Sequence, residues 1–526
     1  MATHSIKQQP DPYVSAMPVT RRRAARPAGV ALRLCATFTT SPKPIRCPCL
    51  LFRRSTGYIG THCRLTANYA FGLREPAGIR DTAPAQNGFH VKNLRHPAIL
   101  LVAGLVFAPL LARPGSAPQP RSTRQPCSQR MAASAIARWP DGRFAPAGAR
   151  WVWNYELGTF LEGIDAVWAQ TEDPRFFAYI KKSVDQFVRP DGSIATYVPQ
   201  EHQLDSILLG RQLILLYRVT HDARYSKAAA FLYGQLQQQP RNPDGGFWHK
   251  QIYPSQMWLD GLYMAEPFYA EYAATFSHPE AFRDITRQFQ LMYEHGRDPK
   301  TGLLYHGWDQ SKQQHWANSA TGDSSQFWAR GMGWYMMALV DTIPNYPRND
   351  PGRQKLIEQL RRLAPAIARV QDPKSGLWWE VLNQGGEKGN YLEASASCMF
   401  VYALVRGVRL GYLPSAYLNN ARHGYAGILS YFVQTAPGGE VTLTGTVKSA
   451  GLGGRPYRSG TYAYYVGEKT ATNDPKGIGA FLLASSEMEA LKAEKPERPD
   501  PDSVTPRLIQ SLKTAPPGGS TSTSGH

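Results

Sequence analysis

Between residues 246 and 334, this 526-residue chain repeatedly sets an aromatic ring beside a group that can hold or move a proton. Phe247 and Trp248 precede His249 and Lys250, Tyr253 and Trp258 lead into Asp260, and Tyr305 precedes His306. Trp308 adjoins Asp309, Trp316 follows, and Trp328 and Trp334 flank Arg330; Trp378 and Trp379 come later. Sugar rings present flat apolar C–H faces edged by hydroxyls, so aromatic platforms beside polar side chains suit a carbohydrate pocket. The competing reading has these rings packing the protein interior. It explains any one of them better than the set, because their neighbours are His, Lys, Asp and Arg. Cysteine offers no comparable chemistry. Cys398, in the apolar stretch Ser397-Cys398-Met399-Phe400, reads as core filler. Cys47 and Cys49 lack a matching pair or a histidine at metal spacing, so neither a metal site nor a disulfide framework is read.

Such residues need a scaffold, and the periodicity from Trp151 onward supplies a helical one. Apolar spacings of three and four predict helices over 153–170, 174–188, 203–219, 222–237, 257–276, 279–294, 329–343, 352–370, 391–410, 414–433 and 475–490. Strand-like alternation is confined to short pieces such as 440–446. The turns repeat a theme: Pro190-Asp191-Gly192, Pro243-Asp244-Gly245, Asp298-Pro299-Lys300-Thr301-Gly302 and Asp372-Pro373-Lys374-Ser375-Gly376. Their aspartates are 53, 54 and 74 residues apart, which suits one helical hairpin plus loop per repeat. About eleven helices in six hairpins fit an all-α, closed ring of helix pairs. An open solenoid is the alternative; the aromatics gathered around the loops of one side argue against it.

Charge narrows the function. The net +19 divides unevenly: residues 1–90 carry 13 Lys/Arg against 3 Asp/Glu, and 91–150 carry 9 against 1. Residues 151–526 carry 37 against 36, so the helical body lacks a nucleic-acid footprint. At the front, a short basic stretch from Val91, the apolar run Ala98–Leu111 and the small residues Gly115-Ser116-Ala117 have the layout of a secretory signal peptide. That run is short for a bilayer span, so no stable membrane insertion is expected. The expected organisation is an upstream, disordered extension at 1–90 and a signal peptide at 91–117. A linker at 118–148, a catalytic domain at 149–491 and a disordered tail at 492–526 follow. Val91 then reads as a GTG start, and the mature protein as periplasmic or secreted.

The run Gly246-Phe247-Trp248-His249-Lys250-Gln251-Ile252-Tyr253-Pro254-Ser255-Gln256-Met257-Trp258-Leu259-Asp260-Gly261-Leu262-Tyr263-Met264 resembles the unsaturated rhamnogalacturonyl hydrolases, glycoside hydrolase family 105, related to the unsaturated glucuronyl hydrolases of family 88. So do Tyr305-His306-Gly307-Trp308-Asp309, Phe327-Trp328-Ala329-Arg330-Gly331-Met332-Gly333-Trp334 and Gly389-Asn390-Tyr391-Leu392-Glu393-Ala394-Ser395-Ala396. Ala450-Gly451-Leu452-Gly453-Gly454, Tyr464-Tyr465 and Asn473-Asp474 are similar to it as well. The resemblance implies an (α/α)6 barrel and hydration of a 4,5-unsaturated uronyl sugar, without metal or other cofactor. It implies Asp260 as general acid and base, with burial beside Trp258 raising its pKa, and Asp205 as the acid that orients water or sugar hydroxyls. It also implies His249, Lys250, His306, Trp328, Arg330 and Trp334 as substrate-binding residues. Ser459, where the family often carries an acid, and the absence of a cysteine near Lys448 bear on fine specificity. The partner expected is an oligosaccharide ending in an unsaturated uronate, galacturonyl or glucuronyl. A sugar epimerase would need paired catalytic histidines, which His249 and His306 could imitate; a non-catalytic glycan binder would not need both Asp205 and Asp260.

Overall fold

The computed structural model describes residues 125–144 and 150–493. The expected extension, signal peptide and tail lie outside these residues, apart from the first two positions of the tail. In chain order the helices are α1 Cys127–Arg138, α2 Tyr155–Thr171, α3 Pro174–Asp185, α4 Gly210–Thr220, α5 Ala223–Gln238, α6 Leu259–Phe276, α7 Ala281–Gly296, α8 Ala329–Thr342, α9 Pro351–Arg369, α10 Ala394–Arg409, α11 Tyr417–Tyr431, the short α12 Tyr462–Gly467, and α13 Pro475–Lys492. Six of them, α2, α4, α6, α8, α10 and α13, touch one another in sequence, and α13 returns to α2 to close the ring. The rest, α12 apart, pack outside. The expected (α/α)6 toroid is the architecture of the protein.

Burial separates the two layers. Every residue of α8 is buried, whereas α9 buries only a stripe that includes Leu356, Ile357, Leu360, Leu363 and Ile367. Glycine lets the ring close. A Cβ on Gly163 of α2 would lie 2.8 Å from both the Gly479 carbonyl oxygen and Leu482 Cβ of α13, and one on Gly479 would overlap the Thr159 carbonyl. Between hairpins, the aspartate turns cap themselves. Asp298 Oδ2 accepts from Thr301 N at 2.8 Å, and Asp372 Oδ2 from Ser375 N at 2.7 Å, each followed by a glycine at φ 75°.

Two boundaries differ from expectation. The segment read as a linker contains α1, the sixth outer helix, which packs on α13 with Met131, Ala132 and Ala135 fully buried. Ser128 N donates to Glu489 at 3.1 Å. Its buried face is Ser128, Met131, Ala132, Ser134 and Ala135, mostly small residues and too weak a signal to read until α13 is there to receive it. The helix expected from 203 begins instead at Gly210, after a 3-10 turn at Leu204–Ser206. There the Ser206 carbonyl accepts from Trp153 Nε1 at 2.7 Å and so is turned away from the helix ladder.

The inner helices also meet in a buried network of ionisable groups. Arg211 bonds Glu162 of α2 at 2.6 Å, and Glu271 of α6 and Asp341 of α8 at 3.2 Å each. Arg406 of α10 joins Asp341 at 3.3 Å to Glu487 of α13 at 3.2 Å. All six inner helices contribute. None of these residues lines the cavity described next.

Candidate active site

Helices α2 and α6, and the turn leading into α4, all begin at a cavity of about 420 Å³. That volume lies within the ~300–1,000 Å³ range of small-molecule sites. Helix starts carry partial positive charge and favour anions there. The cavity is lined by Asp205, His249, Lys250, Trp258 and Asp260, together with Asn154, Tyr155 and Arg458.

Backbone bonds between distant loops assemble it. Leu204 N donates to the His249 carbonyl at 3.1 Å, and His249 N to the Gln256 carbonyl at 2.8 Å. Strand β1, Gln256–Trp258, pairs antiparallel with β2, Gly307–Asp309, setting Trp258 opposite Gly307. Leu259 N then donates to the His306 carbonyl at 2.9 Å. Asp260, the second residue of α6, therefore meets a histidine 46 positions along the chain. His306 Nε2 lies 3.0 Å from Asp260 Oδ2, and Nδ1 lies 2.7 Å from the Tyr465 hydroxyl. Nearby, Lys250 Nζ sits 2.6 Å from Asp205 Oδ2, and His249 Nε2 3.4 Å from Oδ1. The His249 ring stacks on Trp258 at 4.5 Å.

Electrostatics correct one expectation. Burial does push the Asp260 carboxyl upward, but its attraction to His306, the hydrogen bond between them and a contribution from His249 outweigh it. The carboxyl is held below the usual carboxylate range, because strand pairing brings a partner that burial alone would not supply. His249 behaves oppositely. Burial drives its imidazole down to about 4, with Asp205 opposing and Lys250 assisting, so it is neutral near pH 7.

The expected residues separate into two groups. Asp205, His249, Lys250 and Asp260 line the cavity, and His306 backs Asp260. Trp328, Arg330 and Trp334 are not among the lining side chains. Trp328 packs 4.5 Å from His306 and donates to Glu380 at 2.8 Å. Arg330, 2% exposed, donates to the Val447 carbonyl and, at 3.4 Å, to Ser395. Trp334 stacks on Tyr263 at 5.0 Å within the core. Arg330 and Trp334 belong to α8, which is buried along its whole length, and Trp328 caps its start, so all three pack into protein. Sequence reasoning missed Tyr155, Asn154 and Arg458. The first two sit at the start of a helix and carry no motif; Arg458 lies among the glycines of 451–460, a loop quoted only for resemblance.

A closed helical toroid with a carboxylate–histidine pair in a cavity walled by tryptophan and tyrosine defines a sugar-processing enzyme. The Glycosyl Hydrolase Family 88 profile matches residues 127–492, and the chain belongs to that family of unsaturated uronyl hydrolases. It is similar to a family 105 glycoside hydrolase from C. acetobutylicum, at 44% identity and a TM-score of 0.67, covering 70% of this chain and 100% of that one. It is 28% identical to the unsaturated rhamnogalacturonyl hydrolase YesR of Bacillus subtilis over 264 residues, 49% of this chain and 72% of the relative. The fold is also that of the unsaturated glucuronyl hydrolase of Bacillus sp. GL1, at 14% identity and a TM-score of 0.51, covering 71% and 98% of the two chains.

Proposed function

We propose that this glycoside hydrolase removes 4,5-unsaturated galacturonyl residues from the non-reducing ends of rhamnogalacturonan oligosaccharides. The observation that carries the reading is the Asp260–His306 pair at 3.0 Å, with Asp260 facing the cavity. The unsaturated sugar is a cyclic enol ether. Protonation at C4 develops an oxocarbenium ion at C5, water adds at C5, and the resulting hemiketal opens and releases the aglycone. One carboxyl group gives the first proton and then accepts one from the water.

The low-lying carboxyl of Asp260 fits this scheme once substrate charge is counted. A uronate entering the cavity adds a negative charge beside Asp260, which pushes its carboxyl up and favours the protonated form. Asp205, held by Lys250 at 2.6 Å, orients the water or the sugar hydroxyls. The similarity to YesR, an unsaturated rhamnogalacturonyl hydrolase, supports the galacturonyl substrate. The segment 91–117 supports export to the periplasm or beyond.

The substrate reports on the test itself, since hydration destroys the conjugated double bond and its ultraviolet absorbance. Wild-type protein should bleach the unsaturated galacturonyl–rhamnose disaccharide, and Asp260→Asn should be slower by about 10³-fold or more. Bleaching of only unsaturated glucuronyl disaccharides would transfer the same chemistry to glucuronyl products. Equal rates for wild type and variant would remove Asp260 from the reaction.

A further inference from the structure

A uronate must be held by its carboxylate in a cavity that already contains Asp205 and Asp260. Among the described residues the cavity has three lining cations, Arg150, Lys250 and Arg458. Arg150 is exposed. Lys250 is committed to Asp205 at 2.6 Å and Gln203 at 2.9 Å. Arg330, implied by family resemblance, is buried against carbonyl groups outside the lining.

Arg458 differs from all of these. Its guanidinium is fixed by neutral acceptors only: the Gly453 carbonyl from Nε at 2.9 Å, and the Leu452 carbonyl and Tyr253 hydroxyl from Nη2 at 2.9 and 2.7 Å. It forms no ion pair with the described residues, and Nη1 has no hydrogen-bond partner among them. The plane lies over Trp258 at 5.5 Å and Tyr253 at 5.8 Å. The loop is built around it: a Cβ on Gly451 would overlap Nη1, and one on Gly454 would lie 3.0 Å from Nη2. A charge oriented by neutral dipoles on the wall of a cavity is a preorganised anion site, and the Nη1 hydrogens left over can donate charge-assisted bonds to a carboxylate.

We propose that Arg458 holds the carboxylate of the unsaturated uronyl sugar, and that Gly451 and Tyr253 position it. This rests on the reaction proposed above. The test compares the unsaturated galacturonyl–rhamnose disaccharide with its methyl ester, which keeps the enol ether and removes the charge. In Arg458→Gln, kcat/KM for the acid should fall about 10²-fold while that for the ester stays within about threefold, since a charge-assisted bond is lost only with the acid. Gly451→Ala, which displaces the guanidinium and keeps its charge, should lower the acid-to-ester ratio in the same direction. That ratio is independent of the fraction of folded protein, so misfolding does not imitate the result. Equal loss for acid and ester, or an unchanged ratio in Arg458→Gln, would overturn the assignment while leaving the reaction standing. If wild type hydrates neither compound, nor the glucuronyl analogues, the reaction and the assignment fall together.

Discussion

Glutamine at position 162 would keep the shape of that side chain and remove only its charge. Glu162 is 5% exposed, bonded by Arg211 at 2.6 Å and by Gln212 Nε2 at 2.6 Å. Burial pushes its carboxyl up to about 8 despite Arg211, with Asp165, Glu271 and Asp341 adding to the rise. In the unfolded chain the same group titrates near 4.5. A folded-state pKa above the unfolded one contributes stability that is complete below about 4.5 and is lost as pH rises through about 8. Within that window the loss is about 1.4 kcal/mol per pH unit. Between pH 5.5 and 7.5, wild type should therefore lose about 2–3 kcal/mol relative to Glu162→Gln, which has no proton to shed. Denaturant unfolding of both proteins, followed by tryptophan fluorescence at several pH values, measures the gap directly. A gap that does not change with pH would refute the reasoning. It would mean that Arg211 keeps Glu162 ionised throughout, and that the network is fully charged.

Two further perturbations probe the site and the scaffold. His306→Gln keeps a hydrogen-bonding group beside Asp260 but removes the imidazole's attraction. Burial then dominates, so the Asp260 carboxyl should move to higher pH, read from the pH dependence of kcat/KM, with activity down by about 10–100-fold; an unshifted profile would contradict the coupling. Gly479→Ala forces a methyl group against the Thr159 carbonyl where the ring closes. Overpacking of this kind costs about 1–3 kcal/mol, seen as a lower denaturation midpoint, and an unchanged midpoint would show that α2 and α13 can part without penalty.

The sequence by itself determined the repeating hairpins, because helical periodicity and aspartate–glycine turns are local properties that need no partner. Resemblance to the family, carried by contiguous runs of sequence, also pointed to Asp205, His249, Lys250 and Asp260, all of which line the cavity. Tertiary structure decided the rest. The small-residue face of α1 has meaning only against α13, so a helix of the ring read as linker. Arg330 and Trp334 have the types of ligand-binding residues, but full burial of α8 commits them to protein. The register of β1 on β2 sets His306 against Asp260 and lowers a carboxyl that burial alone would raise. Arg458 reaches the cavity only because a glycine-rich loop some 200 residues away folds over Trp258 and Tyr253. Electrostatics and packing act through space, and at such separations no local pattern in the chain encodes which groups will meet.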